Sequence, residues 1–460
     1  MTTIATTNPA TGKVEKTFDA AADEEIDRRI ALAAQTFATY RNTEIARRAE
    51  WMTAAADILD REAGEIGALL TTEMGKTLAA AEAEVRKCAT ACRFYAGNAA
   101  DFLADRRPAD PGDVGARDAY VRYEPLGPVL AVMPWNFPLW QVVRFAAPAL
   151  MAGNVGLLKH SSNVPQTALF LEDLFRRAGF PAGAFQTLLI GSAKVERVLR
   201  DPRVKAATLT GSEPAGRSVA AIAGDEIKPT VLELGGSDPF VVMPSADIAA
   251  AARTAADSRC LNNGQSCISA KRFIVHEDCA DEFEELFVAA MRAKRVGDPM
   301  DASTDIGPLV SEDGRADVEE LVADAVGKGA RVLCGGERPD RPGWYYPPTV
   351  LTDLTTEMRV FQEEVFGPVA SLYRVRDIGV AIELANATGF GLGSNAWTRD
   401  AAEQDRFVRE LDAGQVFVNG MTTSYPQLPF GGVKRSGYGR ELSAEGMHEF
   451  CNAKTIWAAA

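Results

Sequence analysis

Five short apolar runs between Val129 and Leu234, separated by helical patterns, constrain this chain more than any other feature: VLAVM at 129–133, VGLLK at 155–159, TLLI at 187–190, AATLT at 206–210 and VLEL at 231–234. Runs this short and this apolar are strands buried on both faces, and strands alternating with helices form a parallel, doubly wound sheet with right-handed crossovers. Ligands sit at the carboxyl ends of the strands in such a sheet. Here those ends carry Pro134, Trp135 and Asn136; Lys159, His160, Ser161 and Ser162; Gly191 and Ser192; Gly211 and Ser212; and Glu233, Leu234, Gly235 and Gly236. Polar and glycine residues therefore collect where a ligand binds.

The flanks extend the α/β reading. From Asp23 to about Leu103 apolar residues recur at helical spacing, as in Ile26, Ile30 and Phe37 and then Ile58, Ile66, Leu69 and Leu70, with a break at Gly75. A polar stretch from Arg107 gives way to Ala119, Val121 and Tyr123 alternating with Arg122 and Glu124, which predicts a short exposed hairpin or arm. After Gly236 the alternation resumes with PFVVM at 239–243, KRFIVH at 271–276, ASLYRV at 370–375 and QVFVNG at 415–420, so a second α/β domain is expected. In the tail, Thr455, Ile456 and Trp457 suit an edge strand able to pair with a partner chain.

Charge limits the ligands. With 49 basic and 63 acidic residues the formal charge is −14, and there is no Lys/Arg run, which argues against broad attraction to nucleic acid or anionic lipid. An anionic ligand must be held by a local site. The most apolar stretch, Pro128 to Leu158, is interrupted by Pro134, Asn136, Pro138, Gln141, Arg144 and Pro148, so it reads as buried core rather than a membrane span. Seven scattered cysteines and a start without a basic-then-apolar leader fit a reducing cytoplasm.

Three positions carry candidate chemistry. The segment from Gly211 to Gly216 would let a diphosphate approach backbone N–H groups at a helix start, although a strand-to-helix turn needs glycine for steric reasons alone. Cys267 lies in the polar sequence NNGQSC and is either a small buried hydrophobe or a nucleophile. Cys88 and Cys92 share a helix face but lack histidine partners, and His160, His276 and His448 are widely separated, which argues against a metal site and a Cys–His dyad. If Cys267 is a nucleophile, its base is then a carboxylate. Glu233, at the end of a buried strand, is either that base, its pKa raised by burial, or a carboxylate satisfied by nearby backbone.

In order along the chain, PWNFP at 134–138, LK at 158–159, TGS at 210–212, ELGG at 233–236, GQSC at 264–267, EEVFGP at 363–368 and PFGGVKRSGYGRE at 429–441 resemble the aldehyde dehydrogenase superfamily nearly end to end. Within it the LLKHSSNVP and NGMTTSYPQLPFGG stretches are most similar to the bacterial branch that oxidises succinate semialdehyde with NADP. The resemblance implies a Rossmann-like cofactor domain of residues 1–107 and 125–234, a catalytic domain of 235–447, and an oligomerisation arm of 108–124 with 448–460 in a homodimer or homotetramer. It implies that Cys267 attacks the aldehyde, that the oxyanion is held by the Asn136 amide and the Cys267 N–H, and that Glu233 activates the thiol or the hydrolytic water. It also implies cofactor contacts from Trp135, Lys159, His160, Ser161, Ser162, Gly211, Ser212, Leu234, Glu364 and Phe366, with no metal.

Ser162 stands three residues after the lysine, where NAD-preferring relatives commonly carry glutamate. A hydroxyl there can donate to a 2′-phosphate that a carboxylate would repel, so NADP is the expected cofactor, with NAD accepted less well. Arg144, eight residues after Asn136, matches a substrate-carboxylate-binding arginine; its alternative is an internal ion pair. A second arginine of some relatives is replaced by Leu261, leaving Ser424 or Tyr425 to supply a hydrogen bond. Ser269 stands where certain relatives have a second cysteine, which excludes a disulfide switch of that design. Other readings are oxidation of another short aldehyde such as glutarate semialdehyde, acyl transfer to coenzyme A, which Glu233 argues against, and a catalytically retired binding or structural protein, which would have lost Cys267, Glu233 or Asn136.

Overall fold

A computed structural model describes residues 4–107 and 109–459. Its first sheet runs, edge to edge, through Gly437–Tyr438, Thr230–Glu233, Ala206–Thr210, Pro128–Met133, Val155–His160 and Phe185–Thr187. All neighbours are parallel except the first pair. The chain starts at Pro128–Met133, winds outward to Phe185–Thr187, then returns to the other side of its first strand at Ala206–Thr210. That reversal opens a crevice between the carboxyl ends at Met133 and Thr210, the position at which a doubly wound sheet binds ligand.

The expected strand at 187–190 is displaced. It forms over Phe185–Thr187, because Gln186 and Thr187, though polar, are satisfied when buried: Gln186 donates to the Arg29 carbonyl and the Thr187 hydroxyl to the Ala168 carbonyl. Four helices, Asp23–Tyr40, Ile45–Arg61, Ala63–Met74 and Leu78–Phe102, supply the predicted helical opening, with Gly75 at φ 83° ending the third. Before them lies a hairpin, Ile4–Asn8 with Lys13–Phe18, that the periodicity did not announce.

The second sheet runs Arg331–Cys334, Thr349–Thr352, Val369–Val375, Arg272–His276, Pro239–Val242, Asn395–Trp397 and Phe417–Val418, parallel apart from its first pair. The chain then comes back. Tyr438 pairs with Leu232, and Leu442, Met447 and Phe450 pack in the first sheet's core, so the stretch up to 447 does not stay with the second sheet. The expected hairpin or arm near 108–124 forms around the strand Asp118–Pro125, which bridges back antiparallel from Val121 to Arg106 and pairs antiparallel with Cys451–Ala458, from Pro125 opposite Cys451 to Asp118 opposite Ala458. The predicted tail strand thus has an intrachain partner. No helix among the described residues is long and apolar enough to cross a membrane.

Candidate active site

The loop that carries Cys267 follows the helix Ile248–Cys260 and turns through three residues with positive φ: Asn262 at 56°, Asn263 at 59° and Gly264 at 78°. Side-chain bonds make this turn affordable. Asn263 donates to the carbonyls of Gly75 and Pro308, at 2.9 Å each, and accepts from the Gly307 amide. Asn262 donates to the Asn136 carbonyl at 2.7 Å. Gly264 has no alternative, since a Cβ there would lie 2.3 Å from the carbonyl carbon of Gly367.

Two buried cations, neither indicated by sequence pattern, hold the loop. Arg259 donates to the Gly264 carbonyl at 2.6 Å. The Lys271 ammonium donates to the carbonyls of Ser266 and Cys267 at 2.9 Å and of Ser269 at 3.2 Å, and lies 3.4 Å from the Glu364 carboxylate. Glu364 in turn accepts from the Gly236 amide at 3.1 Å, tying the turn after Glu233 to the loop that carries Cys267.

Cys267 lines two cavities at once. On one side is a cleft of about 360 Å³ at the switch point, walled by Trp135, Asn136, Lys159, Ser161, Gly211, Ser212, Leu234, Glu364 and Phe366. The structure thus brings together most of the cofactor-contact residues that the sequence indicated. Trp135 and Phe366 meet edge to face at 5.6 Å. Gly211 leaves the cleft open, because a Cβ would meet nothing nearer than Leu209 at 3.6 Å. Ser212 begins the helix Glu213–Asp225 without capping it, so the helix start faces the cleft with donors unspent by its side chain. Lys159 is nearly buried, and burial alone lowers its pKa; no carboxylate pairs with it among the described residues. Open glycine surface, a helix start and an uncompensated cation fit a dinucleotide phosphate.

Two indicated residues stand apart from the cleft wall. The His160 ring is buried against the 133–138 turn: Nε2 donates to the Pro138 carbonyl at 2.8 Å and Nδ1 accepts from the Ser161 amide at 2.9 Å. Burial, opposed by the carbonyls of Pro138 and Met133, lowers its pKa to about 4, so it is neutral and braces the turn carrying Asn136 rather than contacting a ligand. Ser162 is half-buried beyond the cleft wall, its carbonyl accepting from the Ala5 amide at 3.1 Å.

On the other side of Cys267 is a chamber of about 220 Å³ with mostly apolar walls, among them Phe137, Trp140, Leu261, Ile268 and Phe430. Ser424 lines it; Tyr425 is 47% exposed and lines a neighbouring hollow instead. Arg144 lines it too, but its Nε pairs with the Glu441 carboxylate and its guanidinium sits 4.5 Å from the Phe430 ring centroid. The internal ion pair weighed against substrate binding is therefore present.

Burial pushes the Cys267 thiol up to about 12, against the pull of Arg144 and Lys271. The resting thiol is protonated, and reaction requires an acceptor for its proton. Asn136, 4% exposed, donates one amide hydrogen to the Gln265 carbonyl at 3.2 Å and retains a second. Glu233 is 2% exposed, lines neither cavity, and finds no hydrogen bond for either carboxylate oxygen among the described residues. Burial, followed by the Glu441 carboxyl, raises its pKa well above the ordinary carboxylate range, with Arg144 opposing. The alternative of a backbone-satisfied carboxylate is not what the structure shows.

A cleft at the switch point of a doubly wound sheet that shares one cysteine with an apolar chamber fits the class of thiol-dependent α/β dehydrogenases. Residues 1–456 match the aldehyde dehydrogenase family, and the chain belongs to it. The chain is 66% identical over 456 residues to a succinate-semialdehyde dehydrogenase [NADP(+)] of Mycobacterium tuberculosis, covering 99% of this chain and all of the relative. It is likewise 66% identical over 455 residues to the NADP(+) succinate-semialdehyde dehydrogenase of Mycobacterium avium, covering 99% and 96% of the two chains. The crystal structure of the succinic semialdehyde dehydrogenase of Streptococcus pyogenes, in complex with NADP+, superposes with a TM-score of 0.96 at 36% identity, over 99% of this chain and all of that one.

Proposed function

We propose that this protein oxidises succinate semialdehyde to succinate with NADP, through a thiohemiacetal and a thioester on Cys267. The observation that carries the reading is the double exposure of Cys267, to a phosphate-friendly cleft on one side and an apolar, aldehyde-sized chamber on the other. The 66% identity to NADP-dependent succinate-semialdehyde dehydrogenases over nearly the whole chain supports the substrate and the cofactor.

Cys267 Sγ forms the bond to the aldehyde carbon as its proton passes to the Glu233 carboxylate and the carbonyl electron pair moves onto oxygen. The charge developing on the carbonyl oxygen is met by the free Asn136 amide hydrogen and the Cys267 N–H, donors already fixed by the loop and needing no reorganisation. The cleft residues would hold NADP beside Cys267, where the cofactor would supply the acceptor for the hydride lost from that carbon. Water then adds to the thioester and the thiol leaves, giving the carboxylate. Glu233 is the base for this addition as well: its raised pKa makes its carboxylate the stronger proton acceptor, and neither of its oxygens is engaged in a hydrogen bond among the described residues. With NADP bound, Lys159 and, from beyond the cleft wall, the Ser162 hydroxyl would hold the 2′-phosphate, and Gly211 and Ser212 would hold the diphosphate. The seven free cysteines support a reducing, cytoplasmic setting, and the half-buried strand Asp118–Pro125 with its more exposed partner Cys451–Ala458 supports assembly into a dimer or tetramer.

The test is initial rates with succinate semialdehyde and with butanal, each with NADP and with NAD, for wild type and Cys267→Ala. The expected result is preference for the acid aldehyde and for NADP, with all turnover abolished by the substitution. Equal rates on butanal remove the semialdehyde assignment, and preference for NAD removes the 2′-phosphate reading.

A further inference from the structure

The chamber contains three charged side chains among its described lining residues, Glu84, Lys87 and Arg144. Two are already matched. Glu84 pairs with the buried Lys76 ammonium and accepts from the amides of Leu139 and Trp140 at 2.9 and 2.8 Å. Arg144 pairs with Glu441, and the couple presents no net charge to an incoming ligand. Lys87 differs. It reaches in from the helix Leu78–Phe102, donates to the Ser424 hydroxyl at 2.8 Å, and holds its ammonium 4.2 Å from the Trp140 ring centroid. Both partners are neutral.

We propose that Lys87, acting with Ser424, is the specificity-determining cation that receives the substrate's distal carboxylate, an inference that rests on the semialdehyde reading above. A carboxylate entering an apolar chamber loses its hydration and requires an opposite charge that is not already neutralised. Of the lining residues, Lys87 offers one. Ser424 completes the arrangement: its oxygen accepts from Lys87 and, at 3.0 Å, from Trp140 Nε1, so its own proton is left to donate. A carboxylate there would take one hydrogen bond from the ammonium and one from the hydroxyl. Leu261, in the same wall, adds no charge. Burial lowers the Lys87 pKa to about 8, which still leaves it mainly cationic at neutral pH.

The test compares kcat and KM for succinate semialdehyde and butanal, at saturating NADP, in wild type, K87M, K87Q and K87R. Removal of a desolvated charge partner predicts that K87M and K87Q lower the selectivity for succinate semialdehyde over butanal by roughly 30-fold or more, mainly through KM for the acid aldehyde. K87R, which keeps the charge, recovers part of it. Selectivity that survives both neutral substitutions overturns the role of Lys87 while leaving the semialdehyde reading intact. Equal loss on both aldehydes in both neutral variants also overturns it, because that marks a structural role. A wild type without selectivity refutes the substrate reading itself and the Lys87 inference with it.

Discussion

Lys271→Met probes the support of the nucleophile loop directly. The substitution preserves side-chain length but removes an ammonium that is 1% exposed and serves the carbonyls of Ser266, Cys267 and Ser269 as well as Glu364. Three acceptors lose a buried donor, at about 1 kcal/mol each. Glu364, held down by Lys271 against its burial, would take up a proton and keep its bond from Gly236, so the full cost of a broken buried pair, about 3–5 kcal/mol, is an upper limit for that part. The expected total is about 3–5 kcal/mol. In urea titrations followed by circular dichroism, a slope of about 3 kcal/mol/M or more places the midpoint roughly 1–2 M lower. Because the loop also sets the position of Sγ, kcat should fall about 100-fold, as for a misplacement near 1 Å. A midpoint within roughly 0.2 M of wild type, together with an unchanged kcat, would refute the reasoning.

Three further outcomes follow from the same geometry. Asn136→Ala removes the proposed oxyanion donor and is expected to lower kcat about 100–1,000-fold, with modest change in KM; stopped-flow production of reduced cofactor checks it. Ser162→Glu places a carboxylate by the expected 2′-phosphate and should lower kcat/KM for NADP roughly 10–100-fold while sparing NAD, measured by initial rates; an unchanged NADP/NAD ratio counts against the assignment. His160 is neutral in the fold with its pKa lowered to about 4, so its contribution is intact above its unfolded value near 6.5 and is lost as pH falls through about 4. Between those limits wild type should lose about 3 kcal/mol relative to His160→Gln in paired denaturant titrations; parallel pH curves for the two proteins would show that the ring is not held neutral.

The first sheet was legible because strands such as Ala206–Thr210 are buried on both faces and announce themselves as apolar runs. Phe185–Thr187 was misplaced because Gln186 and Thr187 are satisfied by carbonyls of distant elements, which no local pattern records. The strand Asp118–Pro125 was visible by alternation, yet its partner lies more than 300 residues on, and pairing at that separation leaves no local trace. In the site, Cys267, Asn136 and Glu364 were found through ordered motifs. Lys271 and Lys87 were not: each is an isolated lysine whose meaning comes from carbonyls, a hydroxyl or a ring brought close only by folding. Arg144 could be narrowed in advance to a ligand contact or an ion pair, but Glu441 as its partner required the return of the chain to the first sheet.

That long-range pairing also has a consequence for synthesis. Asp118–Pro125 leaves the ribosome early, and Cys451–Ala458, which completes its ladder, comes out last. At about 5–20 residues per second, the roughly 330 intervening residues leave the first strand as an open edge for some 15–65 s. An apolar edge left open so long would recruit strands from neighbouring nascent chains. Asp118, Arg122 and Glu124 place charges along it, with Arg122 held to Asp105 at 2.8 Å by contacts close in the chain, so this edge carries its own protection before its partner exists.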